Sequence, residues 1–181
     1  GAYSLAMAIH TPANYLLGSF GDVEVVERFY KSIPFVVGFA IELNETNELD
    51  DLVLPFPTFL ERSDFAPTSN FLFPPAGDAE WYWQTRQGVV EPPPGMQPPQ
   101  EIFLEMASRL GFLDDFHTII NRIYNLKAPH ALEEGRRYAQ EEIYDHMAQS
   151  WFGPDHGWDW FKEHGVMSIP RSIEEAYPGP F

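Results

Sequence analysis

The chain has 181 residues, of which 44% are hydrophobic and 15% aromatic, a globular composition long enough to bury one core of ordinary size. Its formal charge of −16, from 11 Lys and Arg against 27 Asp and Glu, argues against binding to a phosphate backbone, so no nucleic-acid partner is expected. It contains no cysteine, which excludes disulfides, thiolate metal sites, a cysteine nucleophile and an iron–sulfur cluster within these residues.

In chain order, residues 3–9 (YSLAMAI) form a short apolar run suited to a buried strand. His10, Thr11, Pro12, Ala13 and Asn14 break it, and Gly18 and Gly21 mark a loop. Asp22 is an N-cap candidate, and Val25, Val26, Phe29 and Tyr30 fall on one helical face. Pro34 restarts an extended segment over residues 35–43, and a shorter strand is expected at 51–54, stopping at Pro55. Parallel strands joined through a helix are the natural closure, so a Rossmann-like α/β fold with a parallel sheet flanked by helices is expected. Ligands of open α/β sheets bind beyond the carboxyl ends of the strands. Here those ends are residues 10–14 and 42–46.

Residues 55–99 read as an irregular, proline-rich loop containing Trp81, Tyr82 and Trp83 and the run Pro92-Pro93-Pro94-Gly95-Met96-Gln97-Pro98-Pro99. The three aromatics either anchor a neighbouring domain or pack under the loop. The last third reads as helical. Ile102, Phe103, Met106, Ala107 and Leu110 make one stripe, ended by Gly111. Phe116, Ile119, Ile120, Ile123 and Tyr124 make a second. A longer helix is expected over 131–151, with Glu133 and Arg137 at i,i+4 spacing and an apolar row of Ala139, Ile143, Met147 and Trp151. A short helix near 158–163 and a proline-rich tail from 170 to 181 complete the chain. No run of about 18 apolar residues is present, so no direct membrane insertion is expected.

Two stretches carry a resemblance. One runs Phe35-Val36-Val37, then Leu43-Asn44-Glu45-Thr46-Asn47-Glu48-Leu49-Asp50-Asp51-Leu52-Val53-Leu54-Pro55, then Thr58-Phe59-Leu60-Glu61. The other runs Arg86-Gln87-Gly88-Val89-Val90-Glu91-Pro92-Pro93-Pro94-Gly95, then Glu101-Ile102-Phe103-Leu104-Glu105-Met106-Ala107, then Leu110-Gly111. In order and spacing they resemble the large catalytic subunit of the molybdopterin oxidoreductases, the dimethyl sulfoxide reductase family. That family has "Asn-Glu-Thr" after a strand, then "Ala-Asp-(Ile/Val)-Val-Leu-Pro", and later "Val-x-Pro-Pro-Gly-Glu". The chain departs from the pattern at Asp50, where Ala is usual, and at His10 to Asn14, where Asn-Pro often follows the first strand.

The resemblance implies the third, Rossmann-like domain of such a subunit. It would grip one half of a bis(molybdopterin guanine dinucleotide) cofactor carrying molybdenum or tungsten. Residues 1–112 are then expected to be the dinucleotide-binding core with a long loop at 55–99, and 113–181 a helical extension packing on it. The family's cluster-binding cysteines, metal-ligating residue and C-terminal barrel fall outside these residues. The chain by itself is therefore expected to be inactive and to bind cofactor weakly. Its implied partners are the remaining domains of the large subunit and an iron–sulfur electron-transfer subunit, in cytoplasm or periplasm.

By position, the cofactor-binding candidates are Asn14, Thr46 and Asp51, then Glu45 and His10. A carboxylate such as Asp51 can accept from the amino groups of guanine or pterin; equally, it can hold backbone N–H groups in a turn. Thr46 can be a ligand contact or a capping hydroxyl, and Asn14 can close an Asx-turn. His10 lines a site or is a satisfied core imidazole. Glu61 is expected to pair with Arg62 or meet solvent. His146, Asp155, His156, Asp159 and His164 match no established metal-ligand spacing. Gly18-Ser19-Phe20-Gly21 lacks the Lys-Ser/Thr of a phosphate loop, and no Gly-x-Ser-x-Gly is present. Alternatives to the oxidoreductase reading are a non-catalytic acidic α/β binding or scaffold module without cofactor, and an unrelated acidic α/β enzyme.

Overall fold

Three short parallel strands organise the first part of the chain in a computed structural model that describes residues 4–18, 21–67, 82–170, 172 and 174. By internal contacts the chain falls into two units. Residues 1–58 and 92–98 form the first, and residues 59–91 and 99–181 the second.

In the first unit, β1 (Ala8–His10), β2 (Val36–Ala40) and β3 (Leu52–Pro55) form a sheet in the order β1-β2-β3. Both pairings are parallel, Ala8 opposite Val36 and Val37 opposite Leu52. Every residue of β2 is buried, as the central strand of a parallel sheet should be, which explains its unbroken apolar sequence. β1 is shorter than the run at 3–9. Its pairing begins with the Ala8 N–H on the Phe35 carbonyl. After β1 comes a single turn, α1 (Tyr15–Gly18), and then α2 (Val23–Lys31). Asp22 caps α2 as expected, its Oδ1 accepting from the N–H groups of Glu24 at 3.0 Å and Val25 at 3.2 Å. Of the apolar face read from the sequence, Val26 and Tyr30 are buried with Ile33 and Val36. Val25 and Phe29 are 50% and 53% exposed, so the buried stripe is narrower than the apolar one. A 3-10 turn, Asn47–Leu49, leads from β2 into β3.

The second unit corrects the loop reading of 55–99. That stretch contains β4 (Asp64–Pro67) and β5 (Tyr82–Arg86), which pair antiparallel, and β6 (Val166–Ser168) joins the other side of β5. Proline-rich flanks hid the alternation in β5, where Tyr82 is exposed and Trp83 packs inward. Trp81 lies outside the described residues. The helices α3 (Pro99–Leu110), α4 (Leu113–Ile123), α5 (Gln140–Phe152) and α6 (Trp158–His164) follow. Pro99 occupies the first helical position of α3, where its missing N–H costs nothing. Gly111 ends α3 with φ +78°, a left-handed conformation that favours glycine.

The helix expected from residue 131 begins only at Gln140. Gly135 has φ +71°, and Glu142 accepts the Ala139 N–H at 2.8 Å, fixing the start of α5. Glu133 and Arg137 therefore share no helix, and Arg137 instead pairs with Glu105 at 2.9 Å. On α4 the buried residue is His117, while Ile119 and Ile123, read as part of the core face, are exposed. The core is a cluster of rings in which Phe65 lies 4.7 Å from Phe161 and 5.3 Å from Trp83, and Trp83 lies 4.4 Å from Trp151. The contact boundary also differs from the expected one at residue 112. Leu104 of α3 is buried in this ring cluster, so α3 belongs with the later helices.

Candidate functional site

A cleft of about 850 Å³ lies beyond the carboxyl ends of β1 and β2, lined by Asn14, residues 42–45, 47 and 48, and Val53. This is where an open parallel sheet offers a binding site. Its floor is a hydrogen-bond network built around Thr46, which is 0% exposed. The Thr46 hydroxyl donates to Asn14 Oδ1 at 3.1 Å and accepts the Leu16 N–H at 2.9 Å, and the Thr46 N–H donates to Asn44 Oδ1 at 3.0 Å. The Asn14 amide in turn donates to Glu45 Oε2 at 2.6 Å. Thus Asn14, Glu45 and Thr46, picked from the sequence, do come together. Thr46 acts as the pin of the loop, with both functions of its hydroxyl used inside the protein. The charged groups of the cleft are all carboxylates, Glu42, Glu45 and Glu48, and the exposed Leu43 lies among them.

The other two sequence candidates are placed elsewhere. Asp51 Oδ2 accepts the Val36 N–H at 2.7 Å, and the Asp51 N–H donates to the Val36 carbonyl at 2.9 Å. This ties Asp51 to the amino end of β2. At about 3.3 Å per residue, that lies roughly 13 Å from the carboxyl end where the cleft opens. The side chain is a brace between β2 and the start of β3, the turn-carboxylate alternative.

His10 faces two acceptors. Its Nε2 is 2.7 Å from Asp50 Oδ1 and its Nδ1 is 3.1 Å from the Thr11 carbonyl. Asn47 donates to the second Asp50 oxygen at 2.9 Å. The His10–Asp50 pair is folded over Gly38, the register partner of His10 in β2. A Cβ at Gly38 would meet Asp50 Oδ2 at 1.9 Å and His10 Nε2 at 2.8 Å. Tyr30 closes the group, its ring 5.7 Å from the His10 ring. Burial first, then the Asp50 charge and Tyr15, push the Tyr30 hydroxyl up to about 12. Asp50, Asn47 and Gly38 were not picked as site residues. His10 and Asp50, which each fall at a departure from the pattern that the resemblance rests on, meet here.

Glu61 and Arg62 are both half-buried and engaged with neighbours, and burial lowers the Arg62 guanidinium below its ordinary value. The imidazoles of His146, His156 and His164 each face a backbone carbonyl within 2.9 Å, those of His130, Phe152 and Trp160. Among the described residues no group of three or more His, Asp or Glu could hold a metal ion, and no helix is long and apolar enough to cross a membrane.

The donor set can be tested against a pterin guanine dinucleotide. A guanine or pterin edge presents amino and imino N–H groups, which three carboxylates suit. A pyrophosphate wants cations or converging N–H groups, and no Lys or Arg lines the cleft. The cleft therefore fits the base end and not the phosphates.

No protein-family model matches the chain, and no curated protein does. Among solved structures it is similar to acetylene hydratase from Pelobacter acetylenicus, with a TM-score of 0.56 at 18% identity, over 83% of this chain and 17% of that one. The likeness is one of fold. The chain spans about a sixth of that enzyme's length. The fold itself is α/β, a three-stranded parallel sheet with helices and a helical C-terminal part.

Proposed function

We propose that the chain is the α/β domain of a molybdopterin-dependent oxidoreductase and holds the base end of one pterin guanine dinucleotide in the cleft beyond β1 and β2. The observation that carries this reading is the cleft itself. It lies at the strand ends that the family resemblance marks, and its charged groups are the acceptors an N–H-rich heterocycle needs. The fold likeness to a much longer enzyme supports a domain role within a larger subunit. Glu45, fixed by Asn14 and through it by Thr46, is the principal acceptor, with Glu42 and Glu48 beside it. His10 and Asp51 hold the sheet that carries the cleft. The cations opposite the phosphates come from the remaining domains of the subunit. In the assembled enzyme the cofactor supplies a molybdenum or tungsten centre that exchanges electrons with a small-molecule substrate.

Titration of the purified chain with guanosine and with guanosine diphosphate, followed by amide NMR, tests this. Saturable shifts over residues 42–48 are expected, with guanosine bound at least as tightly as the diphosphate because the cleft repels phosphate. Glu45→Gln should weaken guanosine binding by roughly tenfold, the effect of losing a charge-assisted hydrogen bond. Tighter diphosphate binding, or shifts centred away from residues 42–48, would overturn the base-end assignment. The acidic scaffold reading expects no saturable shift with either compound.

A further inference from the structure

Both ring nitrogens of His10 face atoms that only accept hydrogen bonds. Nε2 lies 2.7 Å from an Asp50 carboxylate oxygen and Nδ1 lies 3.1 Å from the Thr11 carbonyl. A neutral imidazole has a single N–H and can serve one of these acceptors, whereas the imidazolium serves both. The Asp50 side chain has no exposed surface and that of His10 is 10% exposed, so the imidazolium is the direct counter-charge of a buried carboxylate. The titratable groups packed on the His10 ring are Asp50, Tyr15 of α1 at 5.6 Å and Tyr30 of α2 at 5.7 Å. From β2 the facing residue is Gly38.

An unbroken series of hydrogen bonds joins this pair to the cleft. The second Asp50 oxygen accepts from the Asn47 amide at 2.9 Å, and Asn47 Oδ1 accepts the Asn44 N–H at 3.1 Å. Asn44 Oδ1 accepts the Thr46 N–H at 3.0 Å, and the Thr46 hydroxyl fixes Asn14, which holds Glu45. Asn14, Asn44, Glu45 and Asn47 all line the cleft. Given the base-end assignment of that cleft, we infer that His10 is a positioning residue whose proton holds the loop at 44–50 in the shape that binds a guanine edge. When the proton leaves for solvent, Nδ1 turns a lone pair toward the Thr11 carbonyl and Asp50 loses its counter-charge. The anchor on Asn47 then slackens, and affinity for the base falls as pH rises.

The test follows the His10 ring of the full chain by NMR from about pH 5 to 8, the range in which histidines change charge. In the free chain, exchange protection of the Asn44 and Thr46 amides, corrected for the intrinsic effect of pH, should fall with the midpoint of the ring. The expected drop is about fivefold, the factor between a charge-assisted hydrogen bond and a neutral one. Guanosine affinity should fall by the same factor at the same midpoint. By reciprocity, saturating guanosine should move the ring titration to higher pH. In His10→Gln, protection and affinity should both lose that midpoint. Should His10→Gln not fold, Asp50→Asn removes the counter-charge at similar size and should displace the ring titration and the protection curve together. Protection that ignores the ring midpoint, or keeps it in His10→Gln, would overturn the inference, as would a measurable guanosine affinity that stays flat across it. If protection follows the ring but guanosine binds at no pH, the hold of His10 on the loop stands and the base-end assignment fails.

Discussion

The parallel-sheet unit and the helical unit are held together by different kinds of contact. In the first, the central strand is buried, but much of what surrounds it is polar and specifically paired. His10 lies on Asp50, Asn47 on Asp50, Asp51 on the Val36 backbone, and Asn14 on Thr46 and Glu45. In the second, rings pack on rings around Phe65. Residues 1–58 and 92–98 carry eight carboxylates and only two cations, Arg28 and Lys31. The helical unit should therefore fail when volume is removed, and the sheet unit when a partner is removed or a side chain intrudes. A polar network of this kind also fixes the shape of a binding loop more sharply than apolar packing does.

Removing a ring should produce the largest effect. Phe161 is 0% exposed and lies against Phe65 and, at 5.5 Å, Phe152. Phe161→Ala is expected to cost about 3–5 kcal/mol. All five tryptophans, at positions 81, 83, 151, 158 and 160, belong to this unit, so denaturant unfolding followed by tryptophan fluorescence reports on it selectively. An unchanged midpoint would mean that the ring cluster is not the core of the unit.

Next in size are changes that break a brace in the sheet unit. Gly38→Ala would drive a methyl group into Asp50 and His10, and overpacking of this kind costs about 1–3 kcal/mol. Asp51→Ala removes the acceptor for the buried Val36 N–H, a loss of similar size, whereas Asp51→Asn keeps an oxygen there and should cost less. Hydrogen exchange of the β2 amides measures these losses where tryptophan fluorescence cannot. If Asp51→Ala leaves that exchange unchanged but abolishes guanosine binding, Asp51 is a site residue and the brace assignment is wrong.

The same contrast explains what could be read from the sequence. The cap at Asp22, the buried strand after Pro34, and the grouping of Asn14 with Glu45 and Thr46 follow local rules or lie at strand ends, so they were legible. Asp51 was misplaced because being adjacent to the strand-end loop in sequence does not place it at the same end of the sheet. Asp51 immediately precedes β3, and in a parallel pair the start of one strand lies beside the start of its neighbour. The strands around Phe65 and Trp83 were illegible because their partners, including β6, come from distant sequence and their flanks read as loop. On α4 the apolar count pointed to Ile119 and Ile123. Burial instead followed His117, whose ring packs 5.4 Å from Tyr138. A histidine on an apolar helix face carries no periodicity signal of its own.

That histidine supplies the smallest effect and a direct contrast with His10. His10 has an acceptor at each ring nitrogen, whereas His117 is 1% exposed, has only a 3.3 Å contact from Nδ1 to the Glu133 carbonyl, and leaves Nε2 buried without a hydrogen-bond partner among the described residues. Burial lowers its pKa in the folded protein, against smaller raising effects of the Glu133 carbonyl and the Asp114 charge. An unfolded imidazole titrates near pH ~6.5, so on acidification the unfolded chain takes up this proton before the folded one. The unfolded state then binds more protons, and stability falls as pH drops from that point toward the lower folded value. Above about pH 7.5 both states are neutral and His117 contributes no pH dependence. His117→Gln should therefore narrow the loss of stability between pH 7.5 and 5.5, read as the difference in tryptophan unfolding midpoints. A loss of the same size in both proteins would show that the buried imidazole is protonated without penalty, which an unpartnered Nε2 in this core does not allow.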